Sequence, residues 1–210
     1  GLYKCDIGNL DAVRWEKLPI TDDIIEDFEV RGDTIIVLSR KELLLSVDGG
    51  MTAQRRYSDT VFLDDIDYVQ RELCNVAVYP GDAKRFYVAH QTNYLSYTDD
   101  FGESWTRIEG RGLTDLFYSP HNPNRIVGYR FNKFYTSAGT YISNDSGLNW
   151  TYARDETQDH TDMYRIAFHP TDSNRLALCG NGPYALSFDG GASWQGIYRQ
   201  VGVWEYSVAY

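Results

Sequence analysis

Apolar positions along this chain fall in short alternating runs broken by Gly, Pro, Asp and Asn, the pattern of strands joined by turns rather than of helices. The runs recur in a fixed order. Asn75-Val76-Ala77-Val78-Tyr79, Asp115-Leu116-Phe117-Tyr118 and Tyr164-Arg165-Ile166-Ala167-Phe168 each open a unit. Each is followed by a turn, Pro80 to Arg85, Pro120 to Arg125 and Pro170 to Arg175, with proline and Asx residues at matched offsets that set turn dihedrals and cap turn N–H groups. Second strands are expected over Arg85 to Ala89, Arg125 to Tyr129 and Arg175 to Cys179. The first full unit has the same plan with a shorter turn: Glu26 to Val30, Arg31-Gly32-Asp33, Thr34 to Leu38, then Glu42 to Ser46.

The third strand of each unit leads into a second repeated phrase, Ser/Thr-x-Asp-x-Gly-x-Ser/Thr/Asn-Trp. It reads Thr98 to Trp105, with Asp100 and Gly102; Ser143 to Trp150, with Asp145 and Gly147; and Ser187 to Trp194, with Asp189 and Gly191. A copy from Ser46 to Ala53 keeps Asp48 and Gly50 but not the tryptophan, and a degenerate copy is expected at Lys4-Cys5-Asp6-Ile7-Gly8, with Trp15 displaced by an insertion. An aspartate two residues before a glycine, between two strands, is hairpin chemistry. The carboxylate accepts backbone N–H groups, glycine takes positive φ, and the tryptophan is expected to cover the hairpin between sheets with its indole N–H on an acceptor.

Asp48, Asp100, Asp145 and Asp189 recur 52, 45 and 44 residues apart, and four short antiparallel strands per unit at that period predict an all-β fold, a β-propeller of four-stranded blades. The expected blades span about 26–57, 75–108, 115–153 and 164–198. Partial blades are expected at 2–18, as third and fourth strands only, and at 205–210, as a first strand. Closing these on one another would leave an unpaired sheet edge, so a segment of a larger ring, completed by further blades or other chains, is expected over a self-sufficient one.

The formal net charge of −10 argues against a nucleic-acid backbone as partner, and no apolar run is long enough for a membrane helix. Cys5, Cys74 and Cys179 are too few and scattered for a disulfide framework, and no CxxC, Cys/His cluster or Gly-rich phosphate loop is present. No cofactor or metal is expected.

The three full copies of the motif, in register with the recurring turn, resemble the Asp-box (BNR-repeat) propellers, the superfamily of sialidases, xyloglucan-cleaving hydrolases, sortilin-type receptor ectodomains and photosystem assembly factors. The resemblance implies that the boxes lie on hairpins between third and fourth strands, away from the usual ligand face. Asp48, Gly50, Asp100, Gly102, Trp105, Asp145, Gly147, Trp150, Asp189, Gly191 and Trp194 are then structural. It also favours an extracellular or otherwise extracytoplasmic setting. The sialidase Phe/Tyr-Arg-Ile-Pro motif is absent, since Asn124-Arg125-Ile126-Val127 lacks the proline.

Ligand contacts are expected from the loops on the opposite face. The acidic loops offer Asp65, Asp67, Asp155 and Asp159, and the aromatic-basic run Tyr129 to Tyr135 offers Arg130, Phe131, Lys133 and Tyr135. Carboxylates beside aromatics and arginine suit a glycan or protein partner, and two suitably spaced carboxylates would suit glycoside hydrolysis. The expected function is a non-catalytic module for protein or glycan binding or assembly. The alternatives are part of a secreted polysaccharide hydrolase, or a structural component of a receptor ectodomain or virion.

Overall fold

A computed structural model describes residues 1–5, 14–39, 42–58, 73–90, 94–109, 113, 115–130, 139–153, 162–181 and 184–197. The described elements are all strands. β1 (Tyr3–Cys5) and β2 (Trp15–Lys17) form a two-stranded antiparallel sheet. Four sequential four-stranded antiparallel sheets follow. Blade 1 is β3 (Ile25–Arg31), β4 (Thr34–Ser39), β5 (Glu42–Ser46) and β6 (Gln54–Ser58); blade 2 is β7 (Leu73–Val78), β8 (Phe86–His90), β9 (Tyr94–Thr98) and β10 (Thr106–Glu109). Blade 3 is β11 (Asp115–Tyr118), β12 (Ile126–Arg130), β13 (Gly139–Ser143) and β14 (Thr151–Ala153); blade 4 is β15 (Asp162–Phe168), β16 (Leu176–Asn181), β17 (Tyr184–Ser187) and β18 (Gln195–Ile197). Together they make a partial β-propeller.

The blades share one register. The first residue of each box opposes a buried apolar residue on the second strand, in the pairs Ile35 with Ser46, Phe86 with Thr98, Ile126 with Ser143 and Leu176 with Ser187. Period-two alternation sends side chains to both faces of each sheet, so successive blades pack face to face. Ile36, Leu38 and Leu43 of blade 1 meet Val76, Val78 and Phe86 of blade 2. Ala77, Tyr87 and Leu95 of blade 2 meet Leu116, Ile126 and Trp150 of blade 3, and Val127 and Tyr129 meet Ile166, Leu178 and Trp194 of blade 4. Leu18 and Ile20, following β2, cover Ile35, Val37 and Leu44 of blade 1. First strands are innermost, with β3 against β7 and β7 against β11.

Strand starts differ from the sequence expectation at one recurrent place. Arg85, Arg125 and Arg175 close the turns rather than open the strands, because their N–H groups donate to the carbonyls of Asp82, Asn122 and Asp172 at 3.1, 2.9 and 3.1 Å. The Asx side chains cap the same turns, accepting from the N–H of Lys84, Asn124 and Asn174 at 3.0, 3.1 and 3.0 Å.

Candidate functional site

The four boxes repeat one hydrogen-bond pattern. In the second, Ser104 donates to Asp100 through its N–H (2.9 Å) and hydroxyl (2.6 Å), and Thr98 Oγ1 donates to the same carboxylate at 2.7 Å. The Gly102 N–H in turn donates to Thr98 Oγ1 at 2.9 Å. Asp48, Asp145 and Asp189 hold Thr52, Asn149 and Ser193 in the same way. Hydrogen bonds from the Thr52 and Ser104 side chains, then from their N–H groups, lower the Asp48 and Asp100 carboxyls to about 2. At Asp145 and Asp189 desolvation pushes upward, but the hydrogen bonds from Asn149 and Ser193 outweigh it and both carboxyls are lowered. These groups are committed acceptors and stay ionised.

Each box is tied to the first turn of its own blade, placing both on one face. The N–H groups of Gly49, Phe101, Ser146 and Gly190 donate to the carbonyls of Asp33, Lys84, Asn124 and Asn174 at 2.9, 3.1, 2.8 and 2.9 Å. Each box also meets the preceding sheet. At Gly147, φ is +87° and an added Cβ would lie 2.5 Å from the Tyr87 hydroxyl; at Gly190 it would lie 2.2 Å from the Arg125 guanidinium. The Trp105 indole donates to the Arg56 carbonyl at 3.2 Å, and Trp150 to the Gly147 carbonyl at 2.8 Å.

Two expectations fail here. Trp194 is fully buried, yet its indole N–H has no acceptor among the described residues, because the packing that fills the interface there is apolar. Trp15 does not enter an intersheet space: it pairs with Cys5 across the β1–β2 ladder and is 68% exposed. Asp6, Ile7 and Gly8 lie outside the described residues.

One concave site among the described residues is a cavity of about 200 Å³ between the four innermost strands. Asp27, Glu29 and Arg31 of β3 line one side; Asn75 and Ala77 of β7, Phe117 and Tyr118 of β11 and Phe168 of β15 line the rest. Asp27 Oδ2 accepts from Asn75 Nδ2 and from the Val76 N–H, both at 2.9 Å, and Asn75 Oδ1 accepts from the Leu116 N–H at 2.9 Å. The inner strands are thus bridged by Asx side chains. Burial pushes the Glu29 carboxyl up; Arg31, 2.9 Å away, pulls it down without cancelling that effect, and Asp27 adds to the rise.

Sequence reasoning missed this cavity. A signal was present: Asp27, Asn75 and Asp115 occupy one register position of the first strand, opposite Leu38, Ala89 and Tyr129. Of the expected binding residues, Arg130 ends β12, half-buried. Phe131, Lys133, Tyr135, Asp65, Asp67, Asp155 and Asp159 lie outside the described residues, as does the expected strand at 205–210. Tyr129, which opens the aromatic-basic run, is not part of a surface patch: it is 2% exposed and packs between blades 3 and 4. Among the described residues, no group of His, Cys, Asp and Glu is placed to hold a metal, and no helix is long and apolar enough to cross a membrane.

No protein-family model and no curated protein matches the chain. Solved structures do. An ancestral GH74 enzyme superposes with a TM-score of 0.67 at 20% identity, over 89% of this chain and 25% of its own. YCF48 bound to D1 peptide gives 0.63 at 16% identity, over 93% and 61%. A nidogen/laminin complex gives 0.62 at 11% identity, over 90% and 69%. At these identities the likeness is one of fold, and the chain spans a quarter of the GH74 enzyme and about three-fifths of YCF48.

Proposed function

We propose that this chain is an Asp-box propeller, spanning residues 1–210 as one propeller or a segment of a larger one, that acts as a non-catalytic module binding a protein or peptide partner. The observation that carries the reading is the condition of the four recurrent carboxylates. Each accepts three side-chain or backbone donors within its own hairpin, a state suited to holding a turn and unsuited to donating a proton. Support for a macromolecular partner comes from two structures of like fold, one bound to a peptide and one in a protein complex. The cavity between the inner strands and the loop face that begins at Arg130 are the surfaces assigned to that partner; Phe131, Lys133, Tyr135 and the carboxylates of the acidic loops extend the assignment.

One observation favours a second reading, a polysaccharide hydrolase. Asp27 and Glu29 line one cavity, and burial pushes the Glu29 carboxyl up, the direction that a general acid at a glycosidic bond needs. The two readings separate in one experiment. A panel of polysaccharides is incubated with the chain and with Glu29→Gln, alongside partner capture with Arg130→Ala and Tyr135→Ala. Binding lost in the Arg130 and Tyr135 variants at unchanged melting supports the module. Turnover abolished by Glu29→Gln replaces it with the enzyme.

A further inference from the structure

The cavity between the inner strands lies at the box end of the array, away from the loop face that begins at Arg130. Asp27 and Asn75 stand at one level, opposite Leu38 and Ala89, and the other lining side chains come from the levels between that one and the first turns. Arg31, Val78, Tyr118 and Phe168 oppose Thr34, Phe86, Ile126 and Leu176, the residues that open the second strands. Arg130 ends β12 at the opposite end of its blade. The Asx bridges from Asp27 to Asn75 and Val76, and from Asn75 to Leu116, therefore form the side of the cavity nearest the loops. Its other walls run down to the turns that hold the boxes.

Those walls favour one sign of charge. The charged side chains among them are Asp27, Glu29 and Arg31, two carboxylates to one guanidinium, in a chain whose net charge is −10. Asp27 is committed, since Oδ2 already accepts from the Asn75 amide and the Val76 N–H. Glu29 is less so. Arg31 shares its donors between the Val30 carbonyl at 3.0 Å and Glu29 Oε2 at 2.9 Å, and a carboxylate with one such partner keeps acceptor positions for another. Burial pushes the Glu29 carboxyl up and the Asp27 charge adds to the rise, so a second cation would relieve a cost already present. Half-buried Phe117, Tyr118 and Phe168 supply ring faces and edges beside these carboxylates.

We propose that the cavity receives one arginine side chain of a partner polypeptide, entering from the box end, with its guanidinium on Glu29 and against the rings of Phe117 and Phe168. The assignment rests on the reading of the chain as a protein-binding module and names the group that the module holds. Size limits the occupant: about 200 Å³ is below the roughly 300 Å³ at which pockets for drug-sized ligands begin, and suits a single side chain. Chemistry selects within that limit. A guanidinium is planar, weakly hydrated, donates in a fork and stacks on rings, whereas an ammonium gives up more hydration on entering a half-buried aromatic site.

The probes are capped pentapeptides of glycine and serine with arginine, lysine, norleucine or glutamate at the centre, titrated into the whole chain and followed by two-dimensional NMR. Saturable shifts are expected at the amides of Glu29, Ala77, Phe117 and Phe168, with the arginine peptide bound about tenfold more tightly than the norleucine one. Glu29→Gln is expected to remove that preference. Arg31→Gln, which takes away the competing guanidinium, is expected to tighten the arginine peptide about two- to threefold. Both side chains reach solvent, and the spectra of the variants check that the fold is kept. Absent saturation, equal binding of the norleucine or lysine peptide, or a preference that survives Glu29→Gln overturns the proposal. So does tighter binding of the glutamate peptide that Arg31→Gln weakens, the mark of an anion site. Partner capture that still depends on Arg130 and Tyr135 while the arginine preference is absent overturns this proposal alone. Polysaccharide turnover abolished by Glu29→Gln overturns the module reading and this proposal together.

Discussion

The Tyr87 hydroxyl of blade 2 donates to the Ser146 carbonyl of blade 3 at 2.5 Å, and the ring lies where a Cβ on Gly147 would stand. One tyrosine therefore reads both the shape and the polarity of the next hairpin. Tyr87→Phe keeps the shape and leaves the carbonyl unpaired, a loss of about 1 kcal/mol. Gly147→Ala puts a side chain at positive φ and into the ring, and is expected to cost more, about 2–4 kcal/mol. Urea unfolding followed by fluorescence checks the order. Equal losses would mean that the interface relaxes around the methyl group.

Asp145→Ala removes the acceptor shared by Ser143 and the Asn149 amide groups. A loss of about 1–3 kcal/mol is expected, toward the lower end because water reaches this hairpin. Binding per folded molecule is expected to stay the same. A variant that melts normally but fails to bind would move Asp145 from the fold to the site.

Acid is expected to weaken the array through the boxes. The folded-state values of Asp48 and Asp100, about 2, lie below the unfolded value of 3.8. A lowered carboxyl stabilises fully above its unfolded value, and that contribution disappears as pH falls through the folded one. Urea midpoints are therefore expected to fall between about pH 4 and pH 2, and to fall less in the Asp48→Asn, Asp100→Asn double variant. A parallel pH profile in the double variant would sink the assignment.

Trp150 and Trp194 are expected to respond differently to phenylalanine. Trp150 gives up a hydrogen bond to Gly147, whereas Trp194 gives up none among the described residues. Trp150→Phe is expected to cost roughly 1 kcal/mol more, although Trp194 is the more buried of the two. Differential scanning calorimetry of the two variants decides it.

The turn after β15 is capped by an imidazole. His169 Nδ1 accepts from the Thr171 and Asp172 N–H groups at 3.3 and 3.1 Å, and Ser119 Oγ does the same for His121 and Asn122 at 3.4 and 3.3 Å in blade 3. His169→Ser is expected to hold stability within about 0.5 kcal/mol, and His169→Ala to lose about 0.5–1.5 kcal/mol. Matching losses would show that the cap contributes nothing.

Most of the fold was legible because its signals are local. The Asp-Gly spacing states a hairpin, the Pro-Asx turns state another, and alternation between them states the strands. The cavity between the inner strands was not legible in the same way. Asp27, Asn75 and Asp115 look like stray polar residues until pairing with Leu38, Ala89 and Tyr129 shows them at one level of the inner strands. Tyr129 misled for a related reason: beside Arg130 and Phe131 it reads as a surface aromatic, and only the packing of blade 4 against blade 3 buries it.

The contacts between neighbouring boxes and sheets run in one direction. Arg56 serves the hairpin of Trp105, Tyr87 that of Gly147, and Arg125 that of Gly190, so each unit carries a key cut for its successor alone. Similar as they look, the units are not interchangeable parts. A chain with blades 2 and 3 transposed would set the Arg125 guanidinium against Phe101 and ask Tyr87 to fit a hairpin shaped for arginine. Recombination that preserves such an array must therefore add or remove neighbours as matched pairs, which makes the order of the units as much a heritable property as the repeat.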